Sequence, residues 1–283
     1  MNNSASTARI GFPKNQYQNM PSVQVCNYLD AGIVKQVLIP PPEQCVVEKV
    51  KWGEYDRVFT PAYWKVQTLM SDTLNQKINY KCGDSLAEEI AACVLGGYGI
   101  TAETGFAAFQ ALKKNGLLSK DVALDHDLRS NIYTILSAGF LLNNKKIRYR
   151  FAYQRAERLS YSLRKINTES IPRTDIAFRD WLLTFNGIGP KTASWITRNW
   201  FDSDNVAIID IHIFRACTIM GLFTGKERVD KDYFKLEKLF LQLTRAMNVC
   251  ASKIDVIIWS QMKALSEYGL EKFKKISICN CAI

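Results

Sequence analysis

A lysine that opens one amphipathic run and an aspartate that opens the next are the residues of this chain best suited to chemistry. Lys191 follows the turn Gly187-Ile188-Gly189-Pro190, and Asp210 stands nineteen positions further on, with His212 just beyond it. A lysine amine is a nucleophile once it has lost its proton. Its ordinary pKa of about 10.4 means that burial or a cationic neighbour must first lower it. A carboxylate can stabilise positive charge that develops next to it. Each residue also has a plainer use: Lys191 as a phosphate contact, Asp210 as a helix N-cap, His212 as a half-buried ring with its hydrogen bonds met. Gly187 and Gly189 permit a sharp turn and let its backbone come close to another molecule. Pro190 at the first helical position costs no hydrogen bond. The outward N–H groups of such a turn suit a phosphate oxygen, directly or through a bound monovalent cation.

The elements that must position these residues are helical. Trp181–Gly221 reads as helix, glycine-rich turn, helix, short loop, helix. Before it, the pattern predicts helices over Tyr63–Leu74, Leu86–Leu95, Ala102–Asn115, Ile132–Leu142 and Lys145–Ile166. In the last of these Ala152, Ala156, Leu159 and Leu163 define one apolar face. Thr174–Phe185, Pro190–Phe201 and Ile211–Gly221 follow, then Asp230–Met247 and Ser252–Tyr268, the last with an S-x-x-D start at Ser252 and Asp255. Residues 1–55 carry Pro13, Pro21 and the Pro40-Pro41-Pro42 run, and read as an irregular or β-like extension. The expectation is an all-α protein of two helical domains with a cleft between them: 56–130 with 226–283 in one, 131–225 in the other.

The whole chain of 283 residues carries 37 Lys and Arg against 27 Asp and Glu, a net charge of +10 that favours a polyanionic partner. No apolar run reaches the roughly 20 residues that span a bilayer. The polar start Met1–Thr7 does not read as a secretory signal, so a cytoplasmic, monomeric protein is expected. The eight cysteines read as buried thiols, and no metal site is expected from them. Between Lys145 and Lys165 eight basic residues face one acid, Glu157, with Tyr149, Phe151, Tyr153 and Tyr161 interleaved. That stretch is either a DNA-facing stripe or a solvated helix face.

Leu183–Ala193 resembles a helix–hairpin–helix element, and Val206–Arg215 resembles the Asp-bearing segment that follows it in the HhH-GPD DNA glycosylases. Lys191 with Asp210 resembles the bifunctional branch, which includes the 8-oxoguanine DNA glycosylases and endonuclease III. The resemblance implies an enzyme that flips a damaged or modified base out of double-stranded DNA and cleaves its N-glycosidic bond. Lys191 is then the nucleophile that forms a Schiff base at C1′ and permits β-elimination, and Asp210 activates it and stabilises the cationic sugar. Gly187, Ile188, Gly189 and His212 are the implied backbone contacts. Asn143-Asn144 with Arg148 resembles the segment that fills the vacated stack and inspects the opposite base. Trp195, one turn after Lys191, is a candidate wall of the base pocket or a core tryptophan; animal-type 8-oxoguanine enzymes carry a smaller cysteine there, which opens the identity of the base. Cys250, Cys279 and Cys281 do not have the spacing of the endonuclease III cluster, so no iron–sulfur centre is expected and no cofactor is required. Ile90–Phe109 also resembles bacterial proteins of this fold, some of whose relatives remove bulky modified cytosines from phage DNA. The alternatives are thus an oxidised purine, a hypermodified phage base, a monofunctional glycosylase with Lys191 merely binding, or a noncatalytic DNA-binding module. A two-metal nuclease is disfavoured, because no carboxylate cluster suits it.

Overall fold

The computed structural model describes residues 23–30, 32–72, 81–97, 99–142 and 145–268. Two antiparallel ribbons open it: β1 (Gln24–Asp30) with β2 (Ile33–Ile39), and β3 (Cys45–Val47) with β4 (Val50–Lys51). The helices α1 (Pro61–Asp72), α2 (Leu86–Leu95), α3 (Ala102–Lys114) and α4 (Leu128–Ala138) follow. A third ribbon, β5 (Phe140–Leu142) with β6 (Lys145–Ile147), leads into α5 (Ala152–Thr168). The rest is α6 (Asp175–Leu182), α7 (Pro190–Phe201), α8 (Ile211–Ile219), α9 (Val229–Met247) and α10 (Ala251–Tyr268). The fold is the expected helical one with a small β-like start.

Local chemistry explains the helix ends. The side chains of Ser85 and Thr101 accept from Glu88 N and Thr104 N and cap α2 and α3. Gly116, just past α3, has φ +71°, a conformation that glycine adopts at no steric cost. Three local readings are corrected. Phe140–Leu142 and Lys145–Ile147 pair as antiparallel strands rather than ending two helices. Gly139 sets this pairing, with φ +82° and so little room that an added methyl would lie 2.8 Å from the Ile147 carbonyl oxygen. Helix α5 therefore begins at Ala152, not Lys145. The S-x-x-D start of α10 is not used either: Asp204 accepts from Ser252 N at 2.9 Å, and Asp255 turns inward to Arg198.

Two apolar clusters form the core. The first is drawn from one continuous stretch and includes Ile90, Phe109, Leu128, Ile132, Leu159, Phe178, Ala193 and Ile196. Ala156, Leu159 and Leu163, the predicted face of α5, lie in it with at most 1% exposure. The second combines the chain's start with its end: Cys26, Ile39, Trp52 and Trp64 pack with Ile209, Ile213, Leu236, Phe240 and Ile258. The N-terminal strands are thus part of the second cluster rather than a separate extension. Helix α1 groups with the C-terminal helices, and α2 and α3 group with α4–α7. Each large apolar side chain removed from water stabilises by roughly 1.5–3 kcal/mol.

Helix α7 connects the clusters through buried polar groups. Asn199 donates to Glu89 of α2 at 2.6 Å, and Arg198 reaches Asp255 of α10 at 2.7 Å. All four residues are at most 5% exposed. Burial raises the Asp255 carboxyl to about 7, against the opposing pull of Arg198. A buried pair of this kind adds little net stability, but removing one partner leaves a costly unpaired charge.

Candidate active site

The turn between α6 and α7 has the geometry its glycines allow. Gly187 has φ +81°, and Arg158 of α5 lies directly across it: an added methyl would fall 2.3 Å from that side chain. Ile188 is buried in the first cluster, and its N–H is donated to Phe185 O at 3.1 Å. Ile188 therefore anchors the turn from within, and the exposed parts are Gly187 and Gly189. Gly189 is the N-cap of α7 and offers no side-chain acceptor to the first-turn N–H groups; Pro190 begins the helix. A helix start finished in this way attracts anions.

Lys191 sits in that first turn, half-buried, and Trp195 lies one turn on. The Trp195 ring packs against the first cluster and reaches Gly96 at the end of α2. Asp210 is the N-cap of α8. One carboxylate oxygen, Oδ1, accepts from His212 N at 2.8 Å and Ile213 N at 2.9 Å. The plainer reading of Asp210 is therefore realised, and Oδ2 takes no part in the cap.

His212 ties the pieces together. Its imidazole is held below the ordinary pKa by burial. Asp210 opposes that shift, while Arg215, Lys263 and Lys191 reinforce it. One ring thus lies within electrostatic reach of both Lys191 and Asp210. Its Nδ1 is buried without a hydrogen-bond partner among the described residues. The ring stands edge-on to Trp259 of α10, with centroids 6.4 Å apart and planes at 88°. Lys263, one turn further along α10, places its ammonium 5.1 Å from the Trp259 ring centre. Trp259 is 38% exposed, an unusual share for a tryptophan in the middle of a packed helix. Sequence reasoning missed Trp259 and Lys263, because nothing in the α10 pattern marks which of its faces meets α8.

The segment that carries Asp210 is extended and closely held. Tyr233 of α9 donates its hydroxyl to Ala207 O at 2.8 Å and accepts from Ile209 N at 3.3 Å. Glu237, one turn later, accepts through Oε1 from Ala207 N at 3.0 Å and from Ser194 Oγ of α7 at 2.8 Å. Its Oε2 accepts from Arg179 of α6 at 2.9 Å. Burial raises the Glu237 carboxyl, and these three donors oppose the rise.

The basic stretch that runs into and along α5 divides in two. Lys146, Arg148 and Arg150 are exposed. Arg155 donates to Gly96 O, Arg164 to Asp125 O, and Lys165 to Thr184 Oγ1 at 2.8 Å, while Arg158 lies across Gly187. The latter four brace the protein itself. Asn143 and Asn144 lie outside the described residues. A cavity of about 330 Å³ between α4 and α5, walled by Arg129, Tyr133 and Tyr153, is separate from Lys191 and Asp210.

The chain as a whole is similar to known proteins. Residues 71–249 match the family model Ogg-HhH, described as 8-oxoguanine DNA glycosylase. The 8-oxoguanine DNA glycosylase/AP lyase of Metallosphaera sedula is 32% identical over 174 residues, which cover 60% of this chain and 78% of that protein. The crystal structure of the Methanocaldococcus jannaschii 8-oxoguanine DNA glycosylase superposes with a TM-score of 0.53 at 25% identity, over 70% of this chain and 91% of that one. The Thermotoga maritima 8-oxoguanine DNA glycosylase shares the fold, with a TM-score of 0.54 at 22% identity over 70% and 93% of the two chains. A match across well over half the chain, with the lysine turn and the aspartate cap both inside it, settles the kinship: this chain belongs to the Ogg-HhH family of 8-oxoguanine DNA glycosylases.

Proposed function

We propose that this protein excises 8-oxoguanine from double-stranded DNA and then cleaves the strand as an AP lyase, with Lys191 as nucleophile and Asp210 as the group that stabilises the sugar cation. The observation that carries this reading is the family match over residues 71–249, which contains both the lysine of the glycine-rich turn and the aspartate that caps α8. A duplex phosphate docks on the exposed turn at Gly187 and Gly189, directly or through a monovalent cation, and the extruded nucleotide enters beside Lys191. The uncharged amine attacks C1′ as the bond to the base breaks. Asp210 faces the positive charge that develops on the sugar. The amine's surplus proton is lost, and the ring opens to a Schiff base. Removal of a C2′ proton then expels the 3′ phosphate. Trp259 supplies a flat surface on which an extruded base stacks. His212, beside the Asp210 cap, is the contact for backbone phosphate, and exposed Arg148 the contact for the DNA left behind.

The test is a panel of duplexes carrying different modified bases, incubated with the full chain, with released bases identified by mass. Release of 8-oxoguanine with a borohydride-trappable adduct is expected. Release confined to glucosylated cytosine would move the substrate to a hypermodified phage base. Salt-sensitive duplex binding with no base released would reduce the protein to a DNA-binding module.

A further inference from the structure

The two residues assigned to the chemistry stand on separate elements, α7 and the extended segment before α8, and their spacing is set by whatever joins those elements. One buried carboxylate bridges them directly. Glu237 Oε1 accepts at once from Ser194, three residues after Lys191, and from Ala207 N, three residues before Asp210. Its other oxygen is held by Arg179, which fixes the carboxylate plane. Tyr233, on the same face of α9, holds the carbonyl of Ala207 and the N–H of Ile209. Glu237 and Tyr233 are both 3% exposed, so water does not substitute for them readily. A carboxylate taken out of water is costly unless its oxygens are matched by donors. An apolar residue would fill this place at less cost if packing were its only task.

We propose that Glu237 is a positioning residue for the reaction: it locks the helix of Lys191 to the segment of Asp210, with Tyr233 as the second clasp. The inference rests on the assignment of Lys191 and Asp210 above. Losing the lock lets the amine and the carboxylate drift apart, and displacements of about 1 Å cost up to a hundredfold in rate.

The experiment follows trapping of the enzyme on a duplex with a preformed abasic site, which does not depend on which base is excised. The variants are Glu237→Ala, Glu237→Gln, Ser194→Ala and Tyr233→Phe. Glu237→Ala is expected to slow single-turnover trapping about tenfold to a hundredfold while duplex affinity and the circular dichroism spectrum are unchanged. Glu237→Gln, which keeps an acceptor for Ser194 and Ala207, is expected to recover part of the rate. Should Glu237→Ala not fold, Ser194→Ala and Tyr233→Phe each remove one clasp and are expected to slow trapping severalfold, again without loss of affinity. A folded Glu237→Ala that traps at the wild-type rate would overturn the positioning role alone, as would full speed in both single-clasp variants. Absence of trapping by the wild type would instead overturn the assignment of Lys191.

Discussion

Two helix starts carry the residues assigned to the chemistry, and they are finished in opposite ways. Helix α7 begins with Gly189 and Pro190, so its cap position offers the first-turn N–H groups no side-chain acceptor. Helix α8 begins with Asp210, whose own carboxylate closes the cap. The open end is suited to an anion from outside, and the closed end holds a charge that the protein supplies itself. The same backbone geometry thus serves binding at one end and charge placement at the other. The difference rests on one residue type at the cap position.

The contrast can be broken at each end. Lys191→Gln, next to the open end, is expected to abolish borohydride trapping and leave duplex affinity within about threefold, since a neutral side chain removes the nucleophile but not the turn. Trapping at the wild-type rate would place the nucleophile elsewhere. Asp210→Asn separates two duties, because asparagine caps a helix about as well as aspartate does. Base release is expected to slow about a hundredfold, with little change in the melting temperature. Asp210→Ala is expected to lose the rate and, in addition, about 1 kcal/mol of stability. Equal turnover in all three proteins would leave Asp210 a cap and nothing more.

Gly187→Ala sharpens the comparison at the open end. The positive φ and the Arg158 side chain both oppose a methyl there, and the cost is expected at about 1–3 kcal/mol, with weaker duplex binding at every sequence. Undiminished affinity would show that the turn does not face DNA. The smallest effect concerns pH. Asp255 titrates at about 7 in the fold against an ordinary value of 3.8. Between those values the folded protein binds a proton that the unfolded chain does not, so this group's contribution to stability falls as pH rises through the window and levels off above it. Asp255→Asn is expected to shrink the stability difference between pH 6 and pH 8 measured by urea unfolding. An unaltered pH slope in the variant would show that the group does not titrate there.

The sequence made the open end and the aspartate cap legible because both depend on local rules. Glycine, proline and aspartate act on backbone within a few residues of themselves, and the bounds of α2 and α7 are those the pattern predicts. The β5–β6 pairing was not legible: three-residue strands have no periodicity, and Lys145–Ile147 reads equally well as helix. Nor were Trp259, Glu237 and Asp255. Each lies on an amphipathic helix where its type alone suggests a surface or a core position, and only the packing of α8, α9 and α10 shows otherwise. The basic stretch into α5 illustrates the same limit. Its charge was plain, but the division between exposed Arg148 and bracing Arg158 is tertiary.

The division of the core between a continuous stretch and the two chain ends bears on how the molecule is made. The cluster built from residues 86–196 can collapse as soon as that stretch leaves the ribosome. The cluster that joins Cys26 and Trp64 to Phe240 and Ile258 must wait for the last helices, so the early strands are synthesised long before their partners. Lys191 belongs to the half that matures first, and Asp210 to the half that matures last. A polypeptide that lacks α9 and α10 would therefore carry the amine without its acidic companion held in place, and competence arrives only with those helices.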